Sequence, residues 1–329
     1  MLSRLRYRFF LFREQIRTYL ACLDDAHRYL KASFTGFSRQ KLPRGRLQGR
    51  LIATSHVVEK GLGMPEMRPR FGESAIRALK QLLDDYEATG PGFLDNHYQS
   101  AVCNLNDYVR RHEELGIDVS DLIGKLPSVE ISDSVGGGAF PSDPDHFFRA
   151  VNAPFNEFSR SRHSTRHFEE MSVSPQVIED AVRLALRAPS ACNRQPWKVY
   201  AFLKKEEVSK IMKLHNGSRG FGDSLPGVLI VAARMDTFSG PGERNQSYVD
   251  GGLLSMSLMY SLHHYRLGCV PLNWSVVPGR DRKLKSVAGV RDDENIIMLL
   301  GVGHPASSSR IPVSQRRDVS EVLRIGFGS

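Results

Sequence analysis

Residues 160–203 constrain the fold of this chain more than any other stretch. They open with Arg160-Ser161-Arg162-His163-Ser164-Thr165-Arg166-His167-Phe168 and pass through a helix start at Ser174-Pro175. They close with Pro189-Ser190-Ala191-Cys192-Asn193-Arg194-Gln195-Pro196-Trp197 ahead of the apolar run 199–203. Proline suits the first helical position because it has no N–H to leave unsatisfied, and Glu179 and Asp180 complement the positive end of the helix. Ile178, Ala181, Val182 and Ala185 recur on one face, and the helix must stop at Ala188-Pro189. Helices alternate in this way with the apolar runs 199–203, 228–233 and 296–300, so the fold class is α+β, a central mixed sheet flanked by helices.

At roughly 150 residues per domain, 329 residues allow about two domains. An apolar fraction of 41% with 25% charged residues excludes wholesale disorder and a membrane-embedded bundle. Cys22, Cys103, Cys192 and Cys269 form no CxxC pair, which argues against a zinc ribbon or thioredoxin-like motif and for a reducing cytoplasm. The net charge of +9 is local: residues 1–50 hold 12 Lys/Arg against 3 Asp/Glu, leaving 33 of each for the rest. There Leu2, Leu5, Phe9, Phe12, Ile16, Leu20 and Leu23 recur three or four apart among Arg4, Arg6, Arg8, Arg13 and Arg17, the pattern of a basic amphipathic helix. Its apolar face is expected to pack on the protein's own core. Contact of residues 1–31 with the inner face of a membrane is the second reading, and no nucleic-acid partner is expected. The apolar run 9–12 is too short for a spanning helix or a secretory signal.

Further helical periodicity marks residues 51–72, then Ile76, Leu79, Leu82, Leu83 and Tyr86, then 96–115, giving a helical region over residues 1–130. His56 and Glu59 share a helical face, but di-iron bundles need that motif twice and no second copy exists, so no metal site is expected; a cap, an ion pair or a dimer contact fits better. Residues 131–150, with Gly136-Gly137-Gly138, Pro141 and Pro144, read as a flexible linker, and residues 151–329 as a second domain. There is no GxGxxG after a strand, no GxxxxGK[ST], no GxSxG and no HExxH.

Three arginines, three hydroxyls and a histidine within seven residues can hold a phosphate monoester from several sides. A cationic RxRHSTRxF segment, an amphipathic helix and then APSxxNxQPW resemble the nitroreductase family of FMN-dependent oxidoreductases, over roughly residues 152–317. The resemblance implies that Arg162, His163, Ser164 and Arg166 hold the FMN phosphate and ribityl chain. It sets Pro189, Ser190, Ala191, Asn193 and Gln195 beside the flavin ring, with Cys192 a small turn residue rather than a redox thiol. Leu272, Asn273 and Trp274 resemble the segment whose backbone N–H groups meet the flavin; Asn273 and Trp274 depart from the commonest pattern, and a Trp there would narrow the substrate cavity. Arg316 and Arg317 stand where a basic pair commonly completes the phosphate site, with Arg310 also in range.

The same resemblance implies a homodimer centred on the apolar helix 250–266, and NAD(P)H as donor to an unidentified small-molecule acceptor by a ping-pong mechanism. No side-chain catalyst is expected, since the chemistry is the flavin's. A specialised flavin-dependent dehydrogenase or oxidase, or a non-catalytic dimeric scaffold or membrane-surface protein, are the alternatives.

Overall fold

The computed structural model describes residues 2–33, 44–64, 66–88, 90, 95–127 and 135–326. The chain runs through α1 (Leu2–Ser33), α2 (Arg44–Leu62), α3 (Glu73–Glu87), α4 (Asn96–Glu113) and α5 (Ser120–Ile123) before β1 (Ala139–Ser142), α6 (Pro144–Phe147) and α7 (Phe155–Ser161). There follow α8 (Pro175–Ala185), β2 (Trp197–Phe202), α9 (Lys205–Met212), β3 (Gly227–Arg234), α10 (Gln246–His264) and β4 (Gly268–Asn273). α11 (Pro278–Ala288), β5 (Glu294–Gly303), β6 (Ser309–Pro312) and α12 (Val319–Val322) complete it.

Two compact units emerge, and they do not follow chain order: Met1–Ser38 with Pro144–Ser307, and Arg39–Asp143 with Ser308–Ser329. This corrects the division at residues 130 and 150. The first helix goes with the sheet because Arg244 holds Asp25 through paired contacts at 2.7 and 2.8 Å. The tail goes with the helices because β6 pairs antiparallel with β1, Ala139 opposite Pro312.

In the sheet unit the strand order is β2-β3-β5-β4. All three pairings are antiparallel, so the expected mixed sheet has its parallel component in a single bridge, Ser164 to Cys269. Leu229, Val231, Leu300 and Val302 on the sheet meet Leu254, Leu258 and Leu262 of α10 and Ile178, Ala181 and Ala185 of α8. Each such buried aliphatic side chain contributes roughly 1.5–3 kcal/mol. Glu179 and Asp180 lie beyond the first turn of α8 and pair with Arg183 instead of serving its N-terminus. α10 is apolar nearly all round, yet Tyr248, Val249 and Leu253 are exposed, so its outer face is not covered by the described residues.

In the helical unit, Leu51, Val58 and Leu62 of α2, Ile76, Leu79 and Leu83 of α3, and Tyr98, Leu105 and Tyr108 of α4 form one core. The glycine run expected as a flexible linker is packed against α4. Ser100 Oγ donates to Gly136 O at 2.7 Å, Gly138 N donates to Asn104 Oδ1, and Ala139 N donates to Asp107 Oδ2 at 3.1 Å. Residues 100, 104 and 107 share one helical face, so α4 offers a ladder of polar groups to an incoming backbone. Residues 131–134 of the expected linker lie outside the described residues. Glu59 is buried, accepts from Ser314 N at 2.6 Å and meets His56 Nδ1 at 3.2 Å, which gives the His/Glu pair a structural task.

Candidate functional site

The cationic segment begins where α7 ends, with Arg162 already extended. Main-chain contacts then fix it along the end of the sheet: Thr165 N donates to Cys269 O at 3.2 Å, Glu169 N to His304 O at 2.9 Å and Ala306 N to His167 O at 3.1 Å. Phe168 bridges Pro305. Gly268 permits this approach, because a Cβ there would stand 2.5 Å from Thr165 Cγ2 and 2.9 Å from Pro305 Cγ. Thr165 and His167 are buried, whereas Arg162, His163, Ser164 and Arg166 are half-buried. Arg162 Nη1 is buried with no hydrogen-bonding partner, and a charged donor left so costs more than the roughly 1–3 kcal/mol of a neutral one. Arg166 lies over the ring of buried Phe221, 6.0 Å from its centroid.

His215 Nε2 meets Asn273 O at 3.1 Å, and its ring stacks at 6.3 Å on Trp274. Leu272 is buried and Asn273 exposed at the end of β4. Trp274 is itself buried, and its Nε1 donates to Asp281 Oδ1 at 2.8 Å, so the indole is occupied in packing against α11.

The turn after α8 is unusual backbone. Cys192, Asn193 and Gln195 all have positive φ (51°, 56° and 49°), a region that ordinarily costs a non-glycine residue about 1–2 kcal/mol. Strain of this kind persists only where surroundings impose it. Here Gln195 N donates to Ser190 Oγ at 3.0 Å, Arg194 pairs with Glu243 at 2.6 Å, and Ala191 N donates to the fully buried carboxylate of Asp250 at 3.2 Å. Trp197 Nε1 donates to Asp250 O at 2.8 Å. Pro189, Asn193 and Gln195 are exposed on this turn, with Ser190 and Ala191 half-buried. Asp250→Leu should free the Ala191 amide and speed its hydrogen exchange about tenfold or more, as expected for a lost charge-assisted bond; unchanged exchange would show that the turn holds itself.

Beneath the cationic segment, Ser161 Oγ meets His263 Nε2 at 2.9 Å. Burial, reinforced by the charges of Arg162 and His163, pushes the His263 pKa down to about 4, so this imidazole is neutral at pH 7 and adds no positive charge. Cys269 is pushed up to about 11 by burial and stays a thiol. Arg316 and Arg317 belong to the helical unit, where Arg317 pairs with Glu321 at 2.8 Å and Arg316 reaches Ser314 O. Arg310, in β6, reaches Ala139 O in the same unit. Among the described residues no group of His, Cys, Asp and Glu could hold a metal ion.

The family model for the nitroreductase family matches residues 159–218, the span that carries both the clamped cationic segment and the strained turn. These residues belong to the nitroreductase family. The match spans 60 of the 329 residues and supports the coarse class of a nitroreductase-family oxidoreductase. Iodotyrosine deiodinase 1 of Mus musculus is 22% identical over 211 residues, covering 55% of this chain and 72% of its own. Iodotyrosine deiodinase of Haliscomenobacter hydrossis is 22% identical over 200 residues, covering 52% and 88%. A nitroreductase family protein from Streptococcus pneumoniae, of known structure, is 23% identical with a TM-score of 0.45, covering 52% of this chain and 99% of that one. Beyond the nitroreductase motifs, Phe221, Asp250 and His263 escaped the sequence reading. Each acts through a contact 50 or more residues away in the chain, and nothing in local periodicity announces such a contact.

Proposed function

We propose that the protein is an FMN-dependent oxidoreductase that draws on NAD(P)H, reduces a small-molecule acceptor by a ping-pong mechanism and works as a homodimer. The observation that carries this reading is Arg162 Nη1, buried and unpartnered at the head of a segment whose backbone is already fixed. A phosphate monoester satisfies that group, with Arg166 and the Ser164 hydroxyl as further donors; charge-assisted contacts of this kind are about twice as strong as neutral ones. His163, beside Arg162, adds to the local positive field when protonated. Bound FMN would supply the hydride chemistry that side chains lack. The chain's own part is to orient: Pro189, Ser190, Ala191, Asn193 and Gln195 present polar groups from a rigid turn, and Leu272, Asn273 and Trp274 form a firm wall tied to α11.

A dimer is supported by where the two motifs attach to α10. Ser161 meets residue 263 and Ala191 meets residue 250, so the anchor points stand about 20 Å apart at 1.5 Å per residue. The exposed Tyr248, Val249 and Leu253 on that helix give a second copy an apolar surface to cover.

The visible absorbance spectrum of the purified protein, followed by chromatography of what heat releases, tests the reading. Flavin bands with FMN close to one per chain are expected. A colourless protein that ignores added FMN would overturn it. The names of the mouse and Haliscomenobacter hydrossis relatives favour a second reading, in which the acceptor is a halogenated aromatic amino acid. Iodide release from iodotyrosine by the reduced protein decides between them.

A further inference from the structure

α1 is joined to its own unit by the wrong face for a core helix. Glu14, Thr18, Ala21 and Asp25 are its half-buried residues and fall on one stripe at about 100° per residue, next to residues 240–244. Phe9, Phe12, Ile16, Leu20 and Leu23 fall on the opposite stripe and are exposed, Phe9 to 69% and Leu20 to 57%. This overturns the expectation that the apolar face packs on the protein's core: an ion pair through Asp25 fixes the helix polar side in, and the apolar side is left outward.

What could cover that side is narrowed by charge. The first 23 residues contain five arginines and one acid, Glu14, and Glu14 is already engaged by Arg17 at 2.8 Å. Arg6, Arg8 and Arg13 flank Phe9, Phe10 and Phe12 on the exposed surface of the helix. Two copies of α1 laid face to face would bring five arginines of each copy together, with Asp24 the one exposed acid on each helix to offset them. No described helix is long and apolar enough to cross a membrane, so insertion across a bilayer does not account for the stripe either.

We propose that α1 is a docking surface for an anionic phospholipid bilayer, lying in the plane of the headgroups with Phe9, Phe12, Ile16 and Leu20 entering the acyl boundary and Arg6, Arg8, Arg13 and Arg17 meeting lipid phosphates. Aromatic and aliphatic side chains on one face with arginines beside them are what interfacial binding requires, because apolar burial and attraction to anionic lipid add. Beyond residue 50 the chain carries 33 basic and 33 acidic residues, so the positive excess lies in the N-terminal 50 residues. The docking places the unit that carries the cationic segment at a membrane surface, where an apolar acceptor would be concentrated.

The test is sedimentation of the full chain with vesicles of phosphatidylcholine alone and of phosphatidylcholine mixed with phosphatidylglycerol. Binding to the anionic vesicles is expected to exceed binding to the neutral ones by about tenfold or more and to fall steeply in about 0.5 M salt. The combined variant Phe9→Ser, Phe12→Ser, Ile16→Ser should abolish pelleting, and Arg6→Gln with Arg8→Gln should weaken it by about tenfold. These side chains face solvent, so melting temperatures should hold; should a variant unfold, the lipid and salt dependence of the unaltered chain still decides. Failure of that chain to pellet with anionic vesicles overturns the proposal. So does retention on an RNA oligomer without vesicle binding. A serine variant that changes the oligomeric state in light scattering yet pellets as before would assign the stripe to a second copy, and would overturn it too.

Discussion

Arg162→Ala is expected to weaken FMN binding by about ten- to hundredfold, the loss of one hydrogen bond to a charged group, while the melting temperature of the FMN-free protein stays level or rises. The sign of the second effect follows from the structure. Arg162 Nη1 is buried and has no hydrogen-bonding partner, so the folded protein bears a desolvation penalty that alanine removes. A purely structural arginine would behave in the opposite way, lowering stability and flavin affinity together. A third readout separates the cases. The charge of Arg162 is the second cause, after burial, of the low His263 pKa of about 4, so the variant should move that pKa back toward its ordinary value. Titration of FMN fluorescence, a thermal melt and the His263 proton resonances measure all three. Unchanged flavin affinity would remove Arg162 from the phosphate site.

Gly137→Val should destabilise the helical unit by about 3 kcal/mol or more, among the larger effects of any single substitution. A Cβ at residue 137 would stand 2.6 Å from Cys103 Cβ and 2.7 Å from Ser100 O. Ser100 O is main chain within α4, so nothing flexible can move aside, and relief requires lifting the glycine run away from Ser100, Asn104 and Asp107. Gly138 adds a second constraint through its φ of +75°. Gly49 is the control: it lies inside α2 with nothing within 4 Å of its Cβ position, so Gly49→Ala should stabilise by about 0.5–1 kcal/mol. Both tryptophans, Trp197 and Trp274, lie in the sheet unit, so their fluorescence reports that unit by itself. Hydrogen exchange of amides in α2, α3 and α4 reports the other. A Gly137→Val protein whose α4 amides exchange no faster than before would show that the run is not held as described.

Several elements were legible before any coordinates. The helix at Pro175–Ala185, the strands around residues 199, 230 and 298, and the pairing of a cationic segment with a polar turn all follow from periodicity, proline placement and composition. β4 was not among the strands expected, since Gly268, Pro271 and Asn273 break up its apolar pattern, yet its residues pair with β5 from Gly268 to Asn273. The tail at residues 309–317 read as part of the sheet domain, since nothing local tells a strand which edge it will join.

What the sequence determined by itself was therefore the set of local conformations and the chemistry on offer: where helices start and stop, which runs are apolar enough to be buried, and that arginines and hydroxyls alternate ahead of a proline-bounded turn. These depend on neighbours within a few residues, and steric and hydrogen-bonding rules act at that range. The tertiary structure decided which side of α1 faces inward, that the glycine run is packed, that Arg317 is occupied by Glu321, and that Asp250 and His263 support the two motifs from one helix. Each of these turns on a competition between partners distant in the chain. The outcome is set by which buried donor finds an acceptor once the core has closed, a quantity with no local signature.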